Sequence, residues 1–162
     1  AIEEAEAAAA GSYAAPTGML TLTSSVLFGQ LYIMPIMTAF LDLHPQVTGR
    51  MLLLDRVVNL VDEGVDVAIR IGHLPDSSLR AIRVVSVRRV ICAAPEYLAA
   101  RGVPRVPADL THHRIIATTS AWSSLEWRFG RDGETAVQVK PALFCNANEA
   151  VIAAARAGWG LT

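Results

Sequence analysis

The segment at residues 55–72, DRVVNLVDEGVDVAIRIG, decides the fold class of this 162-residue chain. It opens with an aspartate, a residue type that caps helix N-termini, and Val57, Leu60 and Val61 then recur at helical spacing. Gly64 is typical of a helix end, and the residues after it alternate with the period of a buried strand. A short helix that leads into a strand is half of a βαβ unit, so we predict an α/β fold.

The residues before this segment continue the alternation of strands and helices. Residues 1–17 are expected to be the end of a longer helix followed by a linker. Leu20 and Leu22 are expected to face a core from the first strand. Strands are predicted at residues 19–23, 47–54 and 65–71, and helices at residues 26–43 and 55–63. Because parallel strands are joined by right-handed crossovers, this order predicts a parallel sheet with helices on its faces.

A second α/β alternation is predicted for roughly residues 91–162. Asn146, with Glu149 three residues later, resembles a capping box at the start of the last helix. The predicted elements are extended segments at 79–85 and 88–94, a helix at 95–101, a strand at 114–118, a hairpin at 127–140, a strand at 143–145 and a helix ending at Gly158.

Composition and charge exclude several classes of protein. Hydrophobic residues make up 52% of the chain and charged residues 18%, which is typical of a globular domain. The net charge of −1 gives no general electrostatic reason to bind nucleic acid. Residues 26–41 include Gln30, Pro35 and Thr38 and are shorter than the ~20 residues of a membrane span, so we interpret them as a buried helix. The acidic N-terminus is not that of a signal peptide, and a cytoplasmic protein is expected.

Residues that could perform catalysis or bind a metal are sparse. Cys92 and Cys145 lie in apolar runs and are expected to be buried thiols in a reducing compartment. His112 and His113 have no second ligand pair, so no metal site is predicted. None of the common nucleophile, zinc-protease, dinucleotide or phosphate-loop motifs occurs. The sequence therefore predicts no cofactor and no enzyme activity.

The carboxyl ends of the predicted strands form the candidate binding site, because ligands of open α/β sheets bind there. Several candidates also precede helices, whose free N–H groups favour an anionic or carbonyl ligand. We therefore predict a small polar or carboxylate-bearing ligand. The alternative is that Ser24, Asp55 and Asn146 merely cap helices. The candidate residues are Ser24, Ser25, Leu54, Asp55, Arg70, Ile71, Thr119, Ser120 and Asn146.

Taken together, several motifs resemble the LysR-type transcriptional regulators. They are GxLxLT at Gly18 to Thr23, FxxxxP at Phe40 to Pro45, the run from Asp55 to Leu79, the run from Arg88 to His113, WxF at Trp127 to Phe129, and the closing run from Asn148 to Gly160. The resemblance implies two Rossmann-like lobes, as in periplasmic binding proteins, with a small-molecule effector between them. It assigns residues 18–90 to lobe I and 91–162 to lobe II.

The same resemblance implies what surrounds this domain. Members of the family dimerise about a two-fold axis, with the helix around Met34 to Leu43 against the second lobe of the mate, and bind DNA through a winged helix-turn-helix domain. That domain is not in this sequence. The family also continues past Thr162, so lobe I is expected to be incomplete.

We therefore predict the effector-binding and dimerisation domain of a bacterial transcriptional regulator, assembled as a homodimer or larger homo-oligomer. DNA is contacted through the absent N-terminal domain, and no membrane is involved. The principal alternative is the solute-binding protein of a transporter, and a small hydrolase or transferase using the same cleft is a third. A DNA-binding module encoded directly upstream would favour the regulator.

Overall fold

A computed structural model describes residues 15–56, 58–72, 77–119 and 124–162 of the chain. These residues belong to two compact units, one that ends at Arg70 and one that begins at Ile71. Val57 of the predicted helix, Ser120 of the predicted site and most of the predicted linker lie outside the described residues. The lobe boundary that we place at residue 90 stays a prediction.

The first unit is built on a three-stranded parallel sheet. Its strands are β1 (Gly18–Ser24), β2 (Val47–Leu53) and β3 (Val67–Ile69), in the order β2-β1-β3. Helix α1 (Val26–Leu43) is the crossover between β1 and β2. The predicted α/β class and parallel sheet are therefore confirmed.

Strand β1 buries its hydroxyl side chains more completely than its leucines. Thr21 and Thr23 are 4% and 0% exposed, whereas Leu20 and Leu22 are half-buried. The prediction that the leucine face is the core face is wrong. The reason is that Thr23 makes hydrogen bonds with Leu52 and Arg70, which remove the usual cost of burying a polar group.

Helix α1 is not the buried helix that we predicted. It consists of α-helical Val26–Phe28, a π-helical turn at Gly29–Ile33 and α-helical Met34–Leu43. Its core-facing residues include Gly29, Ile33 and Met37, spaced four apart. By length and composition it could cross a membrane, yet only 17% of it is buried within the chain. It connects two paired parallel strands of the same sheet, as crossover helices do.

The described residues between β2 and β3 do not form the predicted helix. Glu63 N donates to Asn59 O and Val65 N donates to Leu60 O, so residues 59–65 make a single turn. The Asn59 side chain accepts from Val61 N at 3.1 Å and donates to Asp62 at 2.7 Å. Side-chain bonds of this kind to the neighbouring backbone compete with a helical ladder.

Strand β3 is shorter and less buried than predicted. It lies at the edge of the sheet, where Val67 is 43% exposed, and Ile71 just after it is 37% exposed. The alternating apolar pattern correctly indicated a strand, but the prediction that it is buried is wrong.

In the described residues, the second unit contains two small sheets and three short helices. These elements are α2 (Pro95–Arg101), a 3-10 helix (Pro107–His112), β4 (Ile115–Thr118), β5 (Glu126–Phe129), β6 (Thr135–Gln138), β7 (Pro141–Cys145) and α3 (Asn148–Arg156). Strand β4 pairs with β7 in parallel, and β5 pairs with β6 as the predicted antiparallel hairpin. Residues 77–94 form no strand or helix in the described part of the chain.

Strand β4 is the centre of the second unit because both of its faces are buried. Ile115 is 1% exposed and packs in a cluster with Tyr97 and Leu110. Ile116 is 0% exposed and packs in a second cluster with Val151. Burial on both faces is usual for strands in parallel sheets.

The two cysteines are not equivalent, contrary to our expectation. Cys145 is half-buried, whereas Cys92 is exposed. Cys92 also exchanges two backbone hydrogen bonds with Thr162, at 2.7 and 2.9 Å.

Candidate functional site

Asp55 caps the N-terminus of α1, a helix distant from it in the sequence. Its Oδ1 accepts from Val26 N at 3.1 Å. The alternative that Asp55 caps a helix is therefore correct. The helix that it caps is α1, and not the helix that was predicted to begin at Asp55. A carboxylate here also complements the positive end of the helix dipole.

Two serines join β1 to α1 and have different environments. Ser25 occupies the N-cap position with extended backbone, yet its side chain makes no capping hydrogen bond. It is half-buried. Ser24 is 0% exposed, and its Oγ has no hydrogen-bond partner among the described residues. The capping alternative is therefore wrong for Ser24, and Ser25 does not cap α1 with its side chain.

Arg70 makes hydrogen bonds at the carboxyl ends of β1 and β2. Its Nη1 donates to Leu54 O at 2.6 Å and its Nη2 donates to Thr23 Oγ1 at 2.9 Å. Thr23 Oγ1 in turn donates to Leu52 O at 2.7 Å. Burial lowers the pKa of Arg70, and the charge of Asp55 opposes that shift. A guanidinium stays protonated at neutral pH, so Arg70 places a fixed positive charge at this edge of the sheet.

Asp66 precedes β3, at the amino end of that strand, and has a structural role that the sequence pattern did not predict. Its Oδ2 accepts from Thr21 N at 2.8 Å, and its own N donates to Thr21 O at 2.9 Å. An aspartate inside an alternating strand pattern was the available signal, but its partner is 45 residues away.

The candidate residues of the second unit follow β4 and β7. Thr119 N donates to Cys145 O at 2.9 Å, so the parallel pairing extends to the ends of both strands. Asn146 is exposed and does not cap α3, since the N-cap residue is Ala147. The predicted capping box is therefore wrong. Its other member, Glu149, has a buried Oε1 without a partner among the described residues.

The described residues contain no group of three or more His, Cys, Asp or Glu side chains that could hold a metal ion. At the carboxyl edge of the sheet in the first unit, a ligand could form hydrogen bonds close to the fixed guanidinium of Arg70. The donors and acceptors at this edge are the Ser25 hydroxyl and the first-turn N–H groups of α1, which have no intrahelical acceptors.

Comparison with known proteins identifies the family. Residues 14–162 match the family described as LysR substrate binding domain. A probable HTH-type transcriptional regulator, LtrA of Klebsiella pneumoniae, is 36% identical over 118 residues, which are 73% of this chain and 38% of that protein. An uncharacterised HTH-type transcriptional regulator of Haemophilus influenzae is 29% identical over 161 residues, which are 99% of this chain and 56% of that protein.

Solved structures of the same family share this fold. The regulatory domain of CrgA from Neisseria meningitidis has a TM-score of 0.76 and 26% identity, covering 90% of this chain and 72% of that one. The longer structure of CrgA has a TM-score of 0.78 and 25% identity, covering 99% of this chain and 54% of that one. LysR regulatory domains have a two-lobed fold like that of periplasmic binding proteins, as predicted from the sequence motifs.

The chain spans 38% and 56% of the length of the two relatives described above. Those relatives are named as transcriptional regulators, not as enzymes or transporter proteins. Because the family match extends over residues 14–162, this chain belongs to the LysR substrate binding domain family.

Proposed function

We propose that this chain is the effector-sensing domain of a bacterial, cytoplasmic transcriptional regulator that binds DNA through a separate helix-turn-helix domain. Its family and the names of its relatives support this proposal over a transporter protein. The effector is a small polar or carboxylate-bearing molecule that binds at the carboxyl edge of the first unit's sheet.

The observation that carries the proposal is the division of roles between Asp55 and Ser25. A serine at a helix N-cap normally accepts a bond from the first turn, but here Asp55 performs the capping. The Ser25 hydroxyl is then available to donate to or accept from a ligand. Such an arrangement favours a ligand contact over a purely structural role for Ser25.

Charge at the same edge favours an anionic group. The N-terminus of α1 contributes partial positive charge. Arg70 contributes a full positive charge, and its guanidinium is fixed in position by the hydrogen bonds that it donates to Leu54 and Thr23. Asp55 offsets part of this charge. The effector's carboxylate is therefore proposed to bind the first turn of α1, with Leu54 and Asp55 beside it.

Ser25→Ala is expected to weaken effector binding at least tenfold while the free energy of unfolding changes little. A hydrogen bond to a charged ligand contributes roughly 1.5–3 kcal/mol, and this hydroxyl makes no bond within the described residues of the chain. The measurement is a thermal-shift screen with small mono- and dicarboxylic acids, followed by calorimetric titration of the best binder.

Asp55→Ala is the matched comparison. It removes the cap of α1 and should lower the free energy of unfolding by about 1 kcal/mol, whereas Asp55→Asn keeps an acceptor oxygen and should lose less. Unchanged affinity in Ser25→Ala, or a stability loss there as large as in Asp55→Ala, would show that Ser25 is structural.

Effector contacts from the second unit remain part of the proposal. They are Thr119, Ser120 and Asn146, together with Ile71 next to Arg70. Thr119 and Asn146 are exposed, and their positions after β4 and β7 support the assignment. Thr119→Ala belongs in the same titration series.

We also propose that α1 forms a homodimer contact. The helix exposes large apolar side chains: Leu31 at 57%, Tyr32 at 58%, Ile36 at 64% and Leu43 at 77%. An apolar helix face of this kind in a soluble protein marks an interface. Phe144 and Ile152, which are 50% and 41% exposed, offer apolar surface on the second unit of the mate.

Ile36→Glu is expected to convert the dimer into a monomer, because the interface would bury an unpaired charge. Sedimentation velocity at tens of micromolar measures the change. Val103→Glu, at a position that is 63% exposed on a loop of the second unit, is the control and should remain dimeric. A wild-type chain that sediments as a monomer under these conditions contradicts the proposal.

A further inference from the structure

A concave site lies in the second unit between α2, the end of the 3-10 helix and the turn after α3. Its volume is about 330 Å³. It is formed entirely by residues of this unit and includes none of the effector candidates. Its polar side chains are those of Glu96, Tyr97, Arg101, His112 and Arg114, and the rest of its lining is alanine and glycine.

The walls of this site carry more positive than negative charge. Arg101 and Arg114 contribute two guanidinium groups, and Glu96 contributes one carboxylate. Within the described residues, none of these three side chains forms an ion pair. The two arginines are the principal cations of the site, because a guanidinium stays protonated at neutral pH.

Arg114 is held in a defined geometry. Its guanidinium lies 4.7 Å from the centre of the Trp159 ring, and Nη1 donates to Trp159 O at 3.3 Å. Its backbone N donates to Tyr97 Oη at 2.9 Å, and Tyr97 is buried. An arginine that is already stacked and bonded loses little conformational entropy when it binds a ligand.

The remaining lining is small and partly apolar. The side chains of Ala100 and Ala157 are methyl groups, and a Cβ built on Gly158 would meet no atom within 4 Å. This leaves room for the body of a ligand beside the two cations.

We infer that this site binds a small anion through a carboxylate or phosphate group, with the guanidiniums of Arg101 and Arg114 as the charged donors. Planar guanidinium forks match the oxygens of both groups. The site is independent of the proposed effector site, so either assignment can fail without the other.

The test is an NMR titration of the 162-residue chain with two probes, inorganic phosphate and succinate. Saturable shifts are expected at the amides of Ala100, Ala157 and Gly158, and the probe that saturates at the lower concentration identifies the preferred group. Arg101→Gln should weaken binding at least tenfold, and the double variant with Arg114→Gln should abolish saturation.

Arg105→Gln is the matched control, because it removes an exposed arginine of the same unit that does not line the site. It should bind like the wild type. If Arg114→Gln disturbs the fold, Arg101→Gln decides alone, since its side chain makes no hydrogen bond or ion pair among the described residues. Non-saturable shifts with both probes, unchanged affinity in Arg101→Gln, or an equal loss in Arg105→Gln would overturn the assignment.

Discussion

Gly160→Ala is expected to destabilise the second unit by about 3 kcal/mol, through overpacking and loss of the adjoining backbone hydrogen bonds. A Cβ at this position would lie 2.5 Å from the carbonyl oxygen of Arg114, which is backbone and cannot rotate away. The same oxygen accepts from Leu161 N at 2.8 Å, and Leu161 O accepts from Ile116 N at 2.8 Å. Moving the chain to relieve the clash would weaken both bonds beside the central strand.

Denaturant unfolding followed by near-UV circular dichroism measures this effect. Gly158→Asn is the control, because Gly158 has φ +77 and its Cβ position is open. Asparagine tolerates left-handed backbone, so this variant should lose no more than about 1 kcal/mol. Equal losses in both variants would show that backbone conformation at the turn, and not the close approach to Arg114, limits this position.

Arg70→Met should destabilise the first unit by about 2–3 kcal/mol, because it removes two hydrogen bonds from a charged donor while keeping much of the side-chain volume. The acceptors left behind are Leu54 O and Thr23 Oγ1, both at the end of the sheet. Arg56→Met is the matched control: Arg56 pairs with Glu63 at 3.0 Å, but its side chain is 63% exposed. An exposed ion pair contributes little, so this control should change stability by less than about 1 kcal/mol.

A double-mutant cycle with Thr23→Val separates the bond between Arg70 and Thr23 from other effects. The two substitutions should be non-additive by about 1 kcal/mol, since the side chains are in direct contact at 2.9 Å. Strict additivity would mean that the bond contributes nothing to stability. Arg70 was chosen from the sequence as an effector contact, and that role stays a prediction. Its two bonds within the sheet define a supporting role as well.

Local pattern was sufficient for the order and type of most elements. Threonine and leucine alternation indicated β1, the run from Val26 to Leu43 indicated a helix, and Trp127 to Phe129 with the following turn indicated a hairpin. These signals depend on neighbours a few residues apart, so a single sequence contains them. The parallel arrangement followed from the strand-helix-strand order, because crossover connections allow few alternatives.

Only the tertiary structure decided which distant residues form hydrogen bonds with each other in and beside the candidate site. Asp55 caps a helix 29 residues earlier, Asp66 bonds Thr21 across 45 residues, and Arg70 bonds Thr23 across 47. The burial of Thr23 and the available hydroxyl of Ser25 follow from these partners. Propensity and periodicity describe each residue with its near neighbours. A hydrogen bond between distant residues exists only after the parallel strands are paired, which is why the sequence named Ser25, Asp55 and Arg70 without revealing their separate roles.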